Sequence, residues 1–325
     1  MNRDYPNPRD HAEKILRIAQ SNSAAATSAV AASWSRSVNQ YGLSPGENPA
    51  DSRLDSRSLA LRREAIEQVV RVSQPAMDRL LSIIGASGCS VYLCDASGAI
   101  IDQRVRDADA EHFARAGLTI GADWSESAQG TNGIGTCIAD ARAVTIHRDQ
   151  HFHSCNISMS CMGAPIFDAK GELAAVLDVS SCRQDVDGAL VSLISHTVAS
   201  TAQQIEADHF EEVYTRERIV RGRGDGQKGA VLFAVDRNDL IVGATRAARK
   251  LYHLSSDVLA KPLPAADILG DADQRGVGFE KAEARELHRA LARAKGNMTA
   301  AARDLGISRA TLYRRMAKHG LDTHR

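Results

Sequence analysis

The chain has 325 residues, 40 Lys and Arg against 40 Asp and Glu, and 43% apolar content. That composition excludes a disordered chain, and no apolar run is long enough to cross a bilayer. The length predicts two or three domains, and MNRDYPNPRD lacks the apolar core of a secretory signal, so a cytoplasmic location is expected.

Residues 1–58 read as a polar, alanine-rich helical lead-in, broken at GLSPGENP by turn formers. From Leu59 to Ile84 apolar residues return at helical spacing, and Pro75 predicts a kink or a break between two helices. CSVYLCD and AIIDQRV, separated by ASG, predict a hairpin. RAVTIH, CMGAPIFD and ELAAVLDVSS predict three more strands, with helices at about Asp109 to Arg115 and Ser127 to Asp140. The order implies an α+β domain, an antiparallel sheet with helices on one side.

Val186 to about Val220 reads as one long helix with Leu190, Ile194, Val198, Thr201 and Ile205 on a face. Such a helix either packs on its own sheet or forms a dimer. RGRGDGQKG has the composition of a flexible linker. AVLFAVDRNDLIVGATRAARKLY then predicts a hairpin followed by a helix, within a short segment or spacer at 229–272.

The last segment, GNMTAAARDLGISRATLYRRM, predicts two short helices around a turn at Gly306. Asn297 or Thr299 can cap the first and Ser308 the second. Ala301, Ala302, Leu305, Ile307, Leu312 and Met316 supply the contact face, the pattern of a helix-turn-helix. With Leu312 and Met316 inward, Thr311, Arg314 and Lys318 point outward, flanked by Arg309 and Arg315. Arginines so placed suit phosphates and guanine edges in a major groove. Charge agrees: Glu280 to Arg325 holds 11 Lys and Arg against 5 Asp and Glu, so the remainder is acidic. A basic terminal module binds phosphates by counterion release.

This segment resembles the Fis-type helix-turn-helix, from about Leu287 to Leu321. The resemblance implies DNA-contacting positions at Asn297, Thr299, Ser308, Arg309, Thr311, Arg314 and Arg315, and a dimer reading an inverted repeat in double-stranded DNA. Upstream, SWSRS, YGLSP, AGLTIGADWSESAQGTNGIGT, QHFHSCNISMSCMGAPIFDAKG and LAAVLDVSS resemble the GAF domain of acetoin-catabolism-type regulators of the sigma-54 class. That resemblance implies a sensor domain at 59–205, with Trp124, Glu126, Thr131, Asn132, Gly135, Thr136, His151, Cys161 and Asp178 around an effector cavity. The segment at 229–272 resembles the opening of a PAS module, following a helix end and linker at 206–228, with the DNA reader at 280–325. The central AAA+ ATPase of that class is not expected: about 75 residues separate Ile205 from Glu280, and the chain has no Gly-Lys dipeptide for a P-loop.

The six cysteines form no C-x-x-C pair, and structural disulfides are not expected. His151, His153, Cys155 and Cys161 would suit a transition metal if 151–155 were extended, since alternate residues then face one side. A packed, metal-free segment is the stronger expectation, as is a chain with no cofactor and no enzymatic activity. Two alternatives stay open. Cys137, Cys155 and Cys161 could support reduction of methionine sulfoxide, as some GAF domains do, and Cys155 and Cys161 could serve thiol redox sensing. The chain could also heterodimerise with full-length activators.

Overall fold

The structure, a computed structural model, describes residues 7–49, 52–183, 187–224, 229–261, 263–269, 279–294 and 296–320. Its contacts divide the chain into two compact units, Met1–Ala265 and Ala266–Arg325.

The first unit is built on a five-stranded antiparallel sheet in the order β2-β1-β5-β4-β3. β1 (Cys89–Asp95) and β2 (Ile100–Arg104) form the expected hairpin, and β3 (Val144–His147), β4 (Ser160–Phe167) and β5 (Leu173–Ser181) complete the sheet. Alternation along β1 separates two cores. Val91 and Leu93 join Met162, Ala164, Leu177 and Val179 on one face. Tyr92 and Cys94 join Cys161 and Val176 on the other.

Helices therefore cover both faces, not the one that the sequence suggested. α5 (Glu67–Ile84) and α9 (Gly188–Val213) cover the first through Met77, Leu80, Ile194 and Val198. α6 (Asp107–Arg115) and α8 (Gly133–Asp140) cover the second through Phe113, Ile134 and Cys137. The unbroken burial of Cys89–Asp95 is the signature of a strand enclosed on both sides.

Four boundaries differ from expectation. The break after α4 (Ser56–Ala65) falls at Ile66, and Pro75 lies inside α5, where the buried face from Val69 to Ile84 holds the helix through the missing N–H. The helix expected at Ser127 to Asp140 is two, α7 (Glu126–Gln129) and α8, divided at Gly130 with φ of 61°. α9 ends at Val213, and Arg218–Arg221 is a strand, β6, paired with β7 (Leu232–Val235). Residues 148–150 and 154–156 are single 3-10 turns, so the His-rich stretch is not extended.

β6, β7 and β8 (Ile241–Ala244) make a second antiparallel sheet, followed by α10 (Arg246–Leu251), α11 (Ser256–Leu259) and α12 (Ala265–Leu269). Phe210 of α9 packs with Leu232 and Ala234 of β7, joining the two sheets. Parts of the expected linker, at 225–228, and of the 229–272 segment, at 262 and 270–272, lie outside the described residues.

The lead-in forms α1 (Pro8–Ala19), α2 (Asn22–Thr27) and α3 (Ala29–Asn39). It packs onto the first sheet's outer loop through Ile15, Trp34 and Phe152. Lys14 pairs with Asp149 at 2.7 Å, His11 lies 3.1 Å from the Asp149 carbonyl oxygen, and Trp34 Nε1 donates to the Gln150 carbonyl at 2.9 Å.

In the second unit α13 (Phe279–Arg293), α14 (Met298–Asp304) and α15 (Arg309–Lys318) pack around Leu287, Ala290, Ala301, Ala302, Leu312 and Met316.

Candidate functional site

α3 carries Ser33 and Arg36 on the face turned toward α7 and α8. Arg36 grips the buried Glu126 carboxylate through Nε at 2.7 Å and Nη2 at 2.9 Å, and reaches Asp140 at 3.2 Å. Ser33 also donates to Glu126 and lies 2.7 Å from the Thr131 hydroxyl; Thr136 donates to the same carboxylate at 3.2 Å. Each carboxylate oxygen thus has a donor, the condition under which a charge can be buried.

Asn132 organises the turn between α7 and α8. Its Oδ1 accepts from the Ile134 and Gly135 amides, both at 2.9 Å, capping α8. Its Nδ2 donates to the Trp124 and Gly130 carbonyls at 3.1 and 2.9 Å. Trp124 in turn donates from Nε1 to the Gly117 carbonyl. Glycine is needed where α8 meets its neighbours: a Cβ on Gly135 would lie 2.3 Å from the Glu126 nitrogen, and one on Gly133 would lie 2.5 Å from Asp178 Oδ1.

Under α8 runs a second buried chain. His151 Nδ1 lies 3.0 Å from the Arg148 carbonyl, which assigns the proton to Nδ1 and leaves Nε2, 3.3 Å from Cys161 Sγ, as the thiol's acceptor. Ser180 Oγ stands 3.2 Å from that sulfur and 2.7 Å from Asp178 Oδ2. Burial pushes the Asp178 carboxyl up to about 7 and His151 down to about 4. Ser180 Oγ donates to Asp178 Oδ2 and is within reach of Cys161 Sγ, which in turn faces His151 Nε2. Asp178 Oδ1 is buried and has no hydrogen-bond partner among the described residues.

The nine positions expected around an effector cavity are therefore all buried, in two polar clusters on either side of α8. Of the metal candidates, His151 and Cys161 touch. His153 instead faces the Glu47 carbonyl at 2.9 Å, and Cys155 is exposed. Among the described residues no three His, Cys, Asp or Glu side chains converge on one point. Burial pushes the Cys137 and Cys161 thiols up, keeping them protonated. Sequence reasoning missed Ser33, Arg36, Gly133 and Ser180. The first two stand three residues apart in SWSRS, spacing that places them on one helix face.

In the second unit Asn297 and Ser308 cap α14 and α15 as expected, and Gly306 takes a φ of 64° at the turn. Both cap side chains are engaged with backbone amides. Arg309, Arg314, Arg315 and Lys318 are exposed, Thr311 is half-buried against Ser308, and Thr299 is exposed on α14. Glu283 of α13 pairs with Arg315 at 2.8 Å and His319 at 3.0 Å, with Lys318 at 3.9 Å. Arg309 lies over the Tyr313 ring, 5.5 Å from its centroid.

An antiparallel sheet between two helical layers thus stands in one chain with a separate helix-turn-helix unit. Residues 68–205 match the GAF domain, and residues 278–319 match the bacterial regulatory protein, Fis family. The chain thus carries a match to each of these two domains. The acetoin catabolism regulatory protein of Cupriavidus necator is 33% identical over 224 residues, 67% of this chain and 33% of that protein. The acetoin dehydrogenase operon transcriptional activator AcoR of Bacillus subtilis is 26% identical over 151 residues, 46% of this chain and 25% of that protein. The chain thus spans about a third or less of the length of these relatives. A chain from the crystal structure of the E. coli DhaR(N)-DhaL complex has the same fold, with a TM-score of 0.51 at 15% identity over 74% of this chain and 80% of that one.

Proposed function

We propose that the protein is a dimeric transcriptional regulator that reads an inverted-repeat operator with α15 and adjusts its affinity through a signal received by the first unit. The observation that carries this reading is the arrangement of α15. Leu312 and Met316 fix one side of the helix in the core, Arg314 stands exposed on the opposite side, and Arg309 is exposed at the amino end. Arg309 and Arg314 take base edges; Thr299, Thr311, Arg315 and Lys318 take phosphates; the amino ends capped by Asn297 and Ser308 present backbone amides. Glu283 holds Arg315 at a fixed position for that purpose.

The effector is proposed to act at the clusters beneath and beside α8, a small molecule working through Asp178 or the Glu126 network. A coupling of about 1–3 kcal/mol would change operator occupancy roughly 5- to 150-fold. The protonated state of Cys137 and Cys161 favours this reading over the sulfoxide-reductase alternative, which needs a thiolate. Gel shift on upstream promoter fragments tests the proposal: the full chain should retard a fragment that a chain ending before 279 leaves free. Retention of binding by the shortened chain would refute it.

A further inference from the structure

A cleft of about 770 Å3 opens in the first unit between its two sheets, with its rim at the carboxyl end of α8. α9 contributes Ala199, Gln203 and Glu206, the end of β4 contributes Pro165 and Phe167, and α10 contributes Arg246, Ala247, Lys250 and Leu251. The size is that of a small-molecule site, and the wall is mostly apolar with a few convergent charges.

The charges are arranged. The Arg246 guanidinium lies 3.9 Å from the Phe167 ring centroid and donates Nη1 to the Gly171 carbonyl at 3.0 Å, so it is held flat with its remaining donors available. Lys250, one turn along α10, is exposed and has no hydrogen bond among the described residues. Arg142 at the far rim is already paired with Asp140 at 2.8 Å. Among the described lining residues the acid near these cations is Glu206, half-buried, whose carboxyl burial pushes up to about 7 against the pull of the Phe167 amide, Arg246 and Lys250, with Asp168 adding to the rise.

We propose that this cleft binds a small organic monocarboxylate with an apolar body. A guanidinium fixed in a plane offers the paired donors that a carboxylate accepts, and Lys250 adds the second charge. Alanine, proline, phenylalanine and leucine walls suit hydrocarbon. Glu206 on the same wall opposes a doubly charged phosphate. The occupant would touch α9 and α10 together, bridging the two sheets. None of its lining residues belongs to the nine positions at the α8 clusters, although Arg142 on its rim shares Asp140 with Arg36.

Calorimetric titration of the full chain with benzoate and hexanoate, without DNA, tests the site, with benzyl alcohol and inorganic phosphate as comparisons. Saturable binding of at least one carboxylate is expected, weakened about tenfold in Lys250→Gln and abolished in Arg246→Gln. Because Arg246→Gln also removes the contact with Phe167, Ala199→Trp, which fills the cleft and keeps every charge, should abolish binding as well, with circular dichroism unchanged. Absence of saturable binding by both carboxylates would overturn the proposal. So would equal binding of benzyl alcohol or phosphate, or full affinity in a folded Ala199→Trp protein. None of these results bears on operator recognition, which is read by gel shift.

Discussion

Replacing Glu126 with Gln keeps the volume of the side chain and removes its charge, and it should loosen the amino-terminal helices from the sensor domain. Breaking a buried ion pair from one side costs about 3–5 kcal/mol because the other charge is stranded. Arg36 is not fully stranded: its side chain is 25% exposed and Asp140 remains at 3.2 Å. The expected loss is therefore smaller, about 2–3 kcal/mol, a large share of the 5–15 kcal/mol that holds an ordinary domain. The protein carries its own reporters, since its two tryptophans, Trp34 on α3 and Trp124 beside α7, flank the network. Urea unfolding followed by tryptophan fluorescence should show a lower midpoint, and hydrogen exchange should accelerate across 29–39. The pair Arg36→Met with Glu126→Leu should cost less than Glu126→Gln alone, because an apolar pair strands no charge. An unchanged midpoint with unchanged exchange over 29–39 would refute the idea that Glu126 anchors α3.

Asp178→Asn should have opposite effects at two pH values. A carboxyl raised from 3.8 to about 7 makes folding less favourable as pH climbs between those values, by up to about 4 kcal/mol above pH 7. Asn escapes that cost but leaves an amide group poorly partnered, so the variant should gain about 2 kcal/mol at pH 8 and lose about 1 kcal/mol at pH 4 in denaturant titrations. His151 works in the other direction. Held at about 4, it stays neutral in the fold, so its contribution is complete above pH 6.5 and falls as pH drops toward 4, by about 2 kcal/mol at pH 5. His151→Gln should flatten that part of the stability profile. Gly135→Ala should destabilise the domain by more than about 1 kcal/mol, since α8 must retreat from the Glu126 backbone, and thermal unfolding would show it. In DNA binding, Arg309→Ala and Arg314→Ala should each cost about 1–3 kcal/mol on the preferred site, while Lys318→Ala should weaken all sequences alike and lower the salt slope by about 1.

Much of this was legible because local chemistry and fold agreed. Asn297, Gly306 and Ser308 are cap and turn residues whose roles do not depend on distant partners, and the β-prone runs CSVYLCD and LAAVLDVSS marked strands directly. What escaped was set by tertiary contact. That helices cover both sheet faces follows from continuous apolar runs that also suit a strand covered once. Arg218–Arg221 is a strand because β7 lies beside it, and nothing local in RIVR requires that. The two 3-10 turns in HRDQHFHSC are set by their packing against the lead-in, which removed the extended geometry that a metal face needed. The two buried polar clusters contain the nine positions singled out from the sequence, yet Ser33 and Arg36 escaped because those residues arrive from about 90 positions away.

The central claim is that α15 reads duplex DNA, and selection from a random duplex pool by the full chain, followed by footprinting, tests it most directly. An inverted repeat should be enriched, with two protected half-sites about one helical turn apart, and the Arg309→Ala protein should enrich a degenerate version of it. Recovery of unselected sequence, or of one motif that the Arg309→Ala and Arg314→Ala proteins select equally well, would contradict the account.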